Sequence, residues 1–203
     1  MRALKIALFA AVALAFHAGH AFADRLLKDI PLEWKPTEVV TSFDPIDLSP
    51  FMKKAFAVSL FTDVRKAPEE IGKNVERRGA DRDLPVTTKD SVASWLSDRF
   101  AYVLSEFDIE TVKSNAAFTI EADITKFYVT ESSMYEGVVG LKVRLRGKNG
   151  ALLWEGMVSG SASRFGSSYK AENYYEALSN SVIMAVYGLL KNDQFKQAVQ
   201  KNR

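Results

Sequence analysis

Met134-Tyr135-Glu136-Gly137-Val138-Val139-Gly140-Leu141-Lys142-Val143-Arg144-Leu145-Arg146-Gly147, then Lys148-Asn149-Gly150, then Ala151-Leu152-Leu153-Trp154-Glu155-Gly156-Met157-Val158-Ser159-Gly160-Ser161-Ala162-Ser163-Arg164: residues 134–164 read as two strands around a tight turn. Tyr135, Val139, Leu141, Val143 and Leu145 alternate with Lys142, Arg144 and Arg146, the period of two of a half-buried strand. Asn149-Gly150 supplies residues that accept left-handed backbone, as a hairpin turn requires. If these two are the turn, paired positions sum to 299: Leu145 faces Trp154, Leu141 faces Val158 and Arg144 faces Glu155. A four-residue loop over 147–150 changes the partners but leaves each residue on its face. The apolar face must be covered, and helices on either side of the ribbon can cover it.

Upstream, residues 55–62 read as a strand with Phe56, Val58 and Leu60 on one face and Phe61 on the other. Residues 73–85 are dense in charge and contain Gly79, which reads as a surface loop. Residues 87–107 read as a helix. Thr87 and Asp90 resemble a capping box, and Val92, Trp95, Leu96, Phe100, Val103, Leu104 and Phe107 form its apolar stripe. Trp95 reads as an anchor against a sheet. A short strand is expected at 109–112, then a long one in which Phe118, Ile120, Ala122 and Ile124 alternate with polar residues. Its phase slips over 126–129, as a bulge would cause. Beyond the hairpin, 159–168 reads as a strand end and flexible loop. A helix over 173–190 follows, with Leu178, Val182, Ala185, Val186 and Leu189 inward, and a last turn carries Phe195 and Val199. The sum is an α+β domain over 51–203: an antiparallel sheet with a long hairpin and two helices packed on one face.

The ends of the chain carry a different signal. Arg2 and Lys5, the apolar run from Ile6 to Phe16, and Ala21-Phe22-Ala23 make a secretory signal peptide over 1–23, with cleavage expected before Asp24. Residues 24–50 form an extended arm, because Pro31, Pro36, Pro45 and Pro50 forbid a long helix. Ile30, Leu32 and Trp34 alternate as if laid on the body, and 38–43 suits a short strand.

Composition removes whole classes of chemistry. The chain has no Cys, and its two histidines, His17 and His20, lie in the signal. Catalytic triads, Cys–His dyads, disulfides and zinc or haem sites built on those ligands are excluded after cleavage. No Cys also means no lipid anchor on Cys. The 27 Lys+Arg lose Arg2 and Lys5 with the signal, leaving 25 against 25 Asp+Glu, so no nucleic-acid surface is indicated. The glycines match neither a dinucleotide fingerprint nor a P-loop, so no cofactor is expected.

Three places invite a functional reading. Asp63 and Arg65, at the end of the first strand, suit either a binding site or an ion pair closing the strand. Glu121 and Asp123 lie two apart on one strand face; carboxylate chemistry there needs a cleft and a raised pKa, whereas a polar sheet face needs neither. Arg164, Phe165, Tyr169, Tyr174 and Tyr175 gather an Arg and four aromatics among Gly and Ser, the residue types that anchor interfaces. The same residues also read as structure, with Tyr174 and Tyr175 opening a helix against the sheet and Phe165 capping the core.

The order of these features carries a resemblance. The strand followed by Asp63-x-Arg65 and Ile71-Gly72, the Trp95 helix, Leu153-Trp154-Glu155-Gly156 and Asn173-Tyr174 together resemble the YajG-type lipoproteins over about 56–195. More loosely they resemble auxiliary components of ABC-type transport systems in Gram-negative envelopes. The resemblance implies a small α+β domain and a non-enzymatic accessory or binding role, with an envelope protein partner or a lipid-like ligand. Those families typically carry Cys at the mature N-terminus, where this chain has Ala23-Asp24, so free periplasmic residence is expected. The competing readings are a carboxylate hydrolase using Glu121 and Asp123, and a structural subunit of an envelope assembly.

Overall fold

The computed structural model describes residues 26–79 and 82–202. The expected signal and its cleavage point lie outside them. In chain order the elements are β1 (Phe56–Val58), β2 (Thr62–Asp63), β3 (Glu70–Gly79), β4 (Arg82–Thr87), α1 (Val92–Glu106), β5 (Phe118–Glu131), β6 (Met134–Gly147), β7 (Leu152–Phe165), α2 (Ala171–Lys191) and α3 (Asp193–Lys201). Among the described residues no helix is long and apolar enough to cross a membrane.

The hairpin stands as read. Leu145 pairs with Trp154, Leu141 with Val158 and Arg144 with Glu155. The turn differs in detail: Gly150 N–H donates to Gly147 O at 2.8 Å, and the register shifts between Leu145 and Arg146. Only Gly150, at φ +80°, takes left-handed backbone there; Asn149 instead accepts the Ala151 N–H on its side chain. β5 lines the other side of β6, and its expected slip is a bulge between Ile124 and Lys126. Ahead of the bulge Phe118, Ile120, Ala122 and Ile124 are buried; behind it Phe127, Val129 and Glu131 are. One extra residue turns odd positions inward.

The α+β class holds, and the sheet is mostly antiparallel but mixed. Its order is β4-β3-β5-β6-β7, with β1, β2 and β3 all parallel to β5. The expected strand over 55–62 is two short pieces, and Leu60 between them is exposed while Phe61 is buried. The expected loop over 73–85 is the β3–β4 hairpin. Lys73 pairs with Asp83 at 2.7 Å on the exposed side, while Ile71, Asn74, Leu84 and Val86 are buried. A high density of charge over 73–85 masks the strand pattern in the sequence. The stretch over 109–112 makes a single bridge, Thr111 to Phe56.

Helix α1 begins later than its apparent capping box. Ser91 is the cap, accepting the Ser94 N–H, while Thr87 ends β4. Thr87 and Asp90 serve the arm instead: Thr87 N–H donates to Leu27 O and Asp90 Oδ2 accepts the Leu32 N–H at 2.7 Å. The arm lies on the body as its alternation suggests. Lys35 N–H donates to Ser179 Oγ and Thr37 N–H to Asn180 Oδ1, and a 3-10 turn at Val40–Ser42 replaces the expected strand. Trp95 packs at 5.6 Å from Phe127 and 5.9 Å from Trp34.

Helix α2 covers β6 and β7 at very short range. A Cβ on Gly160 would stand 2.1 Å from Ser181 O and 2.2 Å from Ala185 N, both backbone atoms of the helix. Strand β7 runs to Phe165, past its expected end, and brings Gly160 under the helix. Trp154 is buried as expected, but its ring meets Phe195 of α3 at 5.2 Å rather than the helix that bears Trp95.

Two stability outcomes follow from this packing. Gly160→Ala forces α2 off the sheet and lowers stability by about 1–3 kcal/mol or more, the usual range for overpacking. Trp154→Ala removes a buried indole and costs about 3–5 kcal/mol. Thermal and urea denaturation measure both; an unchanged midpoint in either variant contradicts the facing described here.

Candidate functional site

Asp63 and Arg65 form a clasp. Arg65 Nε and Nη2 donate to the two Asp63 carboxylate oxygens at 2.9 and 2.7 Å. Its Nη1 reaches Glu70 O and Phe127 O, and Nη2 also reaches Pro68 O. The guanidinium lies over the Phe127 ring at 5.7 Å. Both side chains are nearly buried. A fork that already binds a carboxylate and three carbonyls has no donor left for an anionic ligand. The pair closes the strand end onto β5, the second of the two readings open from the sequence.

The tyrosines converge on a carboxylate that the motif reading passed over. Glu131, fully buried at the end of β5, accepts from Tyr135 OH, Tyr174 OH and Tyr169 N–H, each at 2.7 Å. Ser168 N–H donates to the Tyr135 OH at 3.0 Å, and Tyr169 OH donates to Pro85 O while accepting the Leu27 N–H. Tyr169 holds left-handed backbone at φ 48°, kept there by bonds from both its ends. Burial, with Glu131 beside it, holds the Tyr174 hydroxyl far above the ordinary tyrosine range. Burial also pushes Tyr175 up to about 12, with Glu33, Glu172 and Asp90 adding to the shift. The one sequence signal for Glu131 was its phase: after the slip an acid falls among inward residues.

The remaining residues divide. Arg164 Nε pairs with Glu176 and its Nη1 with Asn173 Oδ1, while Asn173 Nδ2 donates to Ser168 Oγ. Tyr175 is buried under Lys35, whose Nζ lies 5.3 Å from the ring centre. Tyr174 and Tyr175 therefore open α2 against the body. Phe165 does not cap the core; it is 84% exposed. Of the seven residues singled out, Phe165 alone presents a large free surface. The segment after Asp63–Arg65 meets the start of α2 at Gly72, whose missing Cβ makes room for the Tyr174 ring.

Glu121 and Asp123 sit on the uncovered face of the sheet. Arg144 binds Asp123 through two bonds of 2.7 and 2.8 Å, and Arg146 binds Glu121 at 2.8 Å. The bond to Arg144 holds the Asp123 carboxyl below its usual range, the reverse of what a general acid requires. Among the described residues no group of three or more His, Cys, Asp or Glu could hold a metal ion. Between the arm and α1 lies a cleft of about 360 Å³, lined by Trp34, Val40, Tyr102, Val103 and Ile183 with Glu38 and Glu106. Its two carboxylates oppose an anionic lipid headgroup.

No protein-family model matches the chain, and no curated protein matches it. Among solved structures, XCC0632 from Xanthomonas campestris, assigned to family model DUF330, superposes with a TM-score of 0.50 at 10% identity, over 74% of this chain and 89% of that one. A Caulobacter crescentus protein provisionally assigned as a lipoprotein gives 0.42 at 14%, over 63% and 89%. A minor lipoprotein from Acinetobacter baumannii gives 0.34 at 12%, over 74% and 94%. The Xanthomonas likeness shows a shared fold, and nothing in these likenesses singles out the YajG type.

The buried hydroxyls fix how stability responds to alkali. Tyr174 and Tyr175 titrate near 10.0 when unfolded and higher when folded. Above that pH the unfolded chain sheds protons that the folded chain keeps, so stability falls as pH rises, up to about 12 for Tyr175. Urea denaturation at increasing pH shows a declining limb that Tyr174→Phe and Tyr175→Phe each make shallower; an unchanged slope in both contradicts it. At neutral pH Tyr174→Phe takes one donor from Glu131 and costs about 1.5–3 kcal/mol.

Proposed function

We propose that this chain is a non-enzymatic accessory protein of the Gram-negative envelope that works by binding a protein partner, in the service of an ABC-type lipid or envelope transport system. One observation carries the reading. The side chains with chemical capacity, Asp63 and Arg65, Glu131 and its tyrosines, Glu121 and Asp123, are all engaged with other parts of the fold. What is left accessible is contact surface: among exposed apolar side chains that also include Leu60 and Met52, Phe165 at the end of β7 and Met157 midway along it share one strand. The signal-like N-terminus supports export, and the lack of Cys supports residence without a lipid anchor. The fold shared with XCC0632 is compatible with this role and names no partner.

Expressed in a Gram-negative host, the chain is released by osmotic shock, begins at Asp24 and incorporates no fatty acid. An intact N-terminus in a carbonate-resistant membrane pellet overturns the location. A photo-crosslinker at Phe165 captures a defined envelope protein, whereas one at Lys126, on an exposed part of β5, does not. Loss of cellular function in Glu121→Gln/Asp123→Asn, with folding and capture intact, would overturn the binding role in favour of carboxylate chemistry.

A further inference from the structure

Strand β7 ends the sheet, and its far edge pairs with no strand among the described residues. An exposed edge is usually guarded by charge, proline or a bulge, because its free N–H and C=O groups template another strand. Between Gly156 and Ser163 this edge has no charge and no proline. Glu155 and Arg164, which bracket the run, are engaged with Lys142 and Glu176. On the uncovered face of the sheet β7 presents Met157, Ser159, Ser161, Ser163 and Phe165, with Met157 65% exposed and Phe165 84%.

That series is symmetric about Ser161: a large apolar side chain, three serines, a large apolar side chain. We propose that a second copy of this chain adds to the edge, β7 against β7, antiparallel about a twofold axis at Ser161. Facing positions then sum to 322, so Met157 meets Phe165 of the second copy, Ser159 meets Ser163, and Ser161 meets its equivalent. The even sum keeps uncovered face beside uncovered face, so the helices of both copies lie on one side of a continuous sheet. Gly160 faces Ala162 on the covered side. This register covers both exposed apolar side chains at once. A register two lower sets Phe165 against Glu155 and Met157 against Ser163, leaving no apolar pair. A hollow of about 320 Å³ lined by Glu136, Val138, Ser161 and Ser163 lies beside the axis and gives the incoming side chains room. Apolar cross-strand pairs are the interactions that select sheet partners. A foreign strand would require no such symmetry.

A second copy is thereby the occupant of the Phe165 and Met157 surface on which the proposed role rests. A Phe165 crosslink to another envelope protein from a monomeric chain upholds that role and overturns this one. The absence of Cys makes the dimer directly testable. Sedimentation equilibrium of the purified chain gives a dimer mass that falls to the monomer mass in Phe165→Lys and Met157→Lys, with unchanged far-ultraviolet circular dichroism. Facing residues of an antiparallel pair lie about 4.5–5.5 Å apart at Cα, within disulfide reach. Under mild oxidation Ser161→Cys therefore links to itself. Ser159→Cys and Ser163→Cys link when mixed and remain largely unlinked when oxidised separately. A monomer at every concentration overturns the proposal, even if another protein then adds a strand. So does a dimer that survives both Lys variants, or one in which Ser161→Cys stays reduced.

Discussion

The Glu131 carboxyl sits fully buried at the end of β5 with no ion pair among the described residues, and three neighbouring elements are arranged around it. Leaving a polar group in an apolar interior without hydrogen-bond partners is costly, so donors must come to it. They come from three elements: Tyr135 from β6, Tyr169 from the loop after β7, and Tyr174 from α2. Each donor brings its own requirement. Tyr169 must hold left-handed backbone, Tyr174 must lie over a glycine in β3, and Ser168 must turn its N–H to Tyr135. The bulge between Ile124 and Lys126 stands behind all of this, since without the extra residue Glu131 would face water.

The arm belongs to the same economy of hydrogen bonds. A proline-rich segment cannot satisfy its own backbone by forming a helix, so its N–H groups need acceptors elsewhere. Asp90, Ser179 and Asn180 supply them, and Tyr169 OH accepts from Leu27 while donating to Pro85. Buried Ser179 and Asn180 on α2 are thus explained by the chain that crosses them. The arm acts as a strap joining α1, α2 and the β3–β4 hairpin.

The sequence made the hairpin legible because its period of two and its turn residues point to one register, and the α2 stripe legible because nothing interrupts it. It hid β3 and β4 because their density of charge mimics a loop, and because β3 buries Gly72 and Asn74 where an apolar alternation would show a strand. It displaced the start of α1 because Thr87 and Asp90 have the spacing of a cap while bonding to the arm. The motifs that carried the family resemblance turn out to be packing devices: Asp63 with Arg65 closes a strand, Gly72 admits Tyr174, and Gly156 lies under the Trp154 indole. Residues that hold a fold together recur in order and spacing just as functional ones do. Arg164, Tyr169, Tyr174 and Tyr175 therefore read both as an interface and, for Tyr174 and Tyr175, as the start of a helix against the sheet; the structure has the second, and the burial of Tyr169 follows from Glu131.

The uncovered face of the sheet changes character from one side to the other. Over β5 and β6 it carries Arg144 with Asp123 and Arg146 with Glu121, and Lys142 reaches across to Glu155 on β7. Partly exposed pairs of this kind contribute only about 0–1 kcal/mol each. They set acids of β5 and β7 against bases of β6, so a slip of two residues would still pair opposite charges, and the register rests on the buried face and the turn instead. On β7 the charges stop at Glu155, and serine and glycine take over up to Arg164. Solvation alone does not explain that change, because an edge strand needs charged guards more than an interior strand does. The interior strands carry the charge and the edge is left bare, the distribution expected where the edge has to accept another strand.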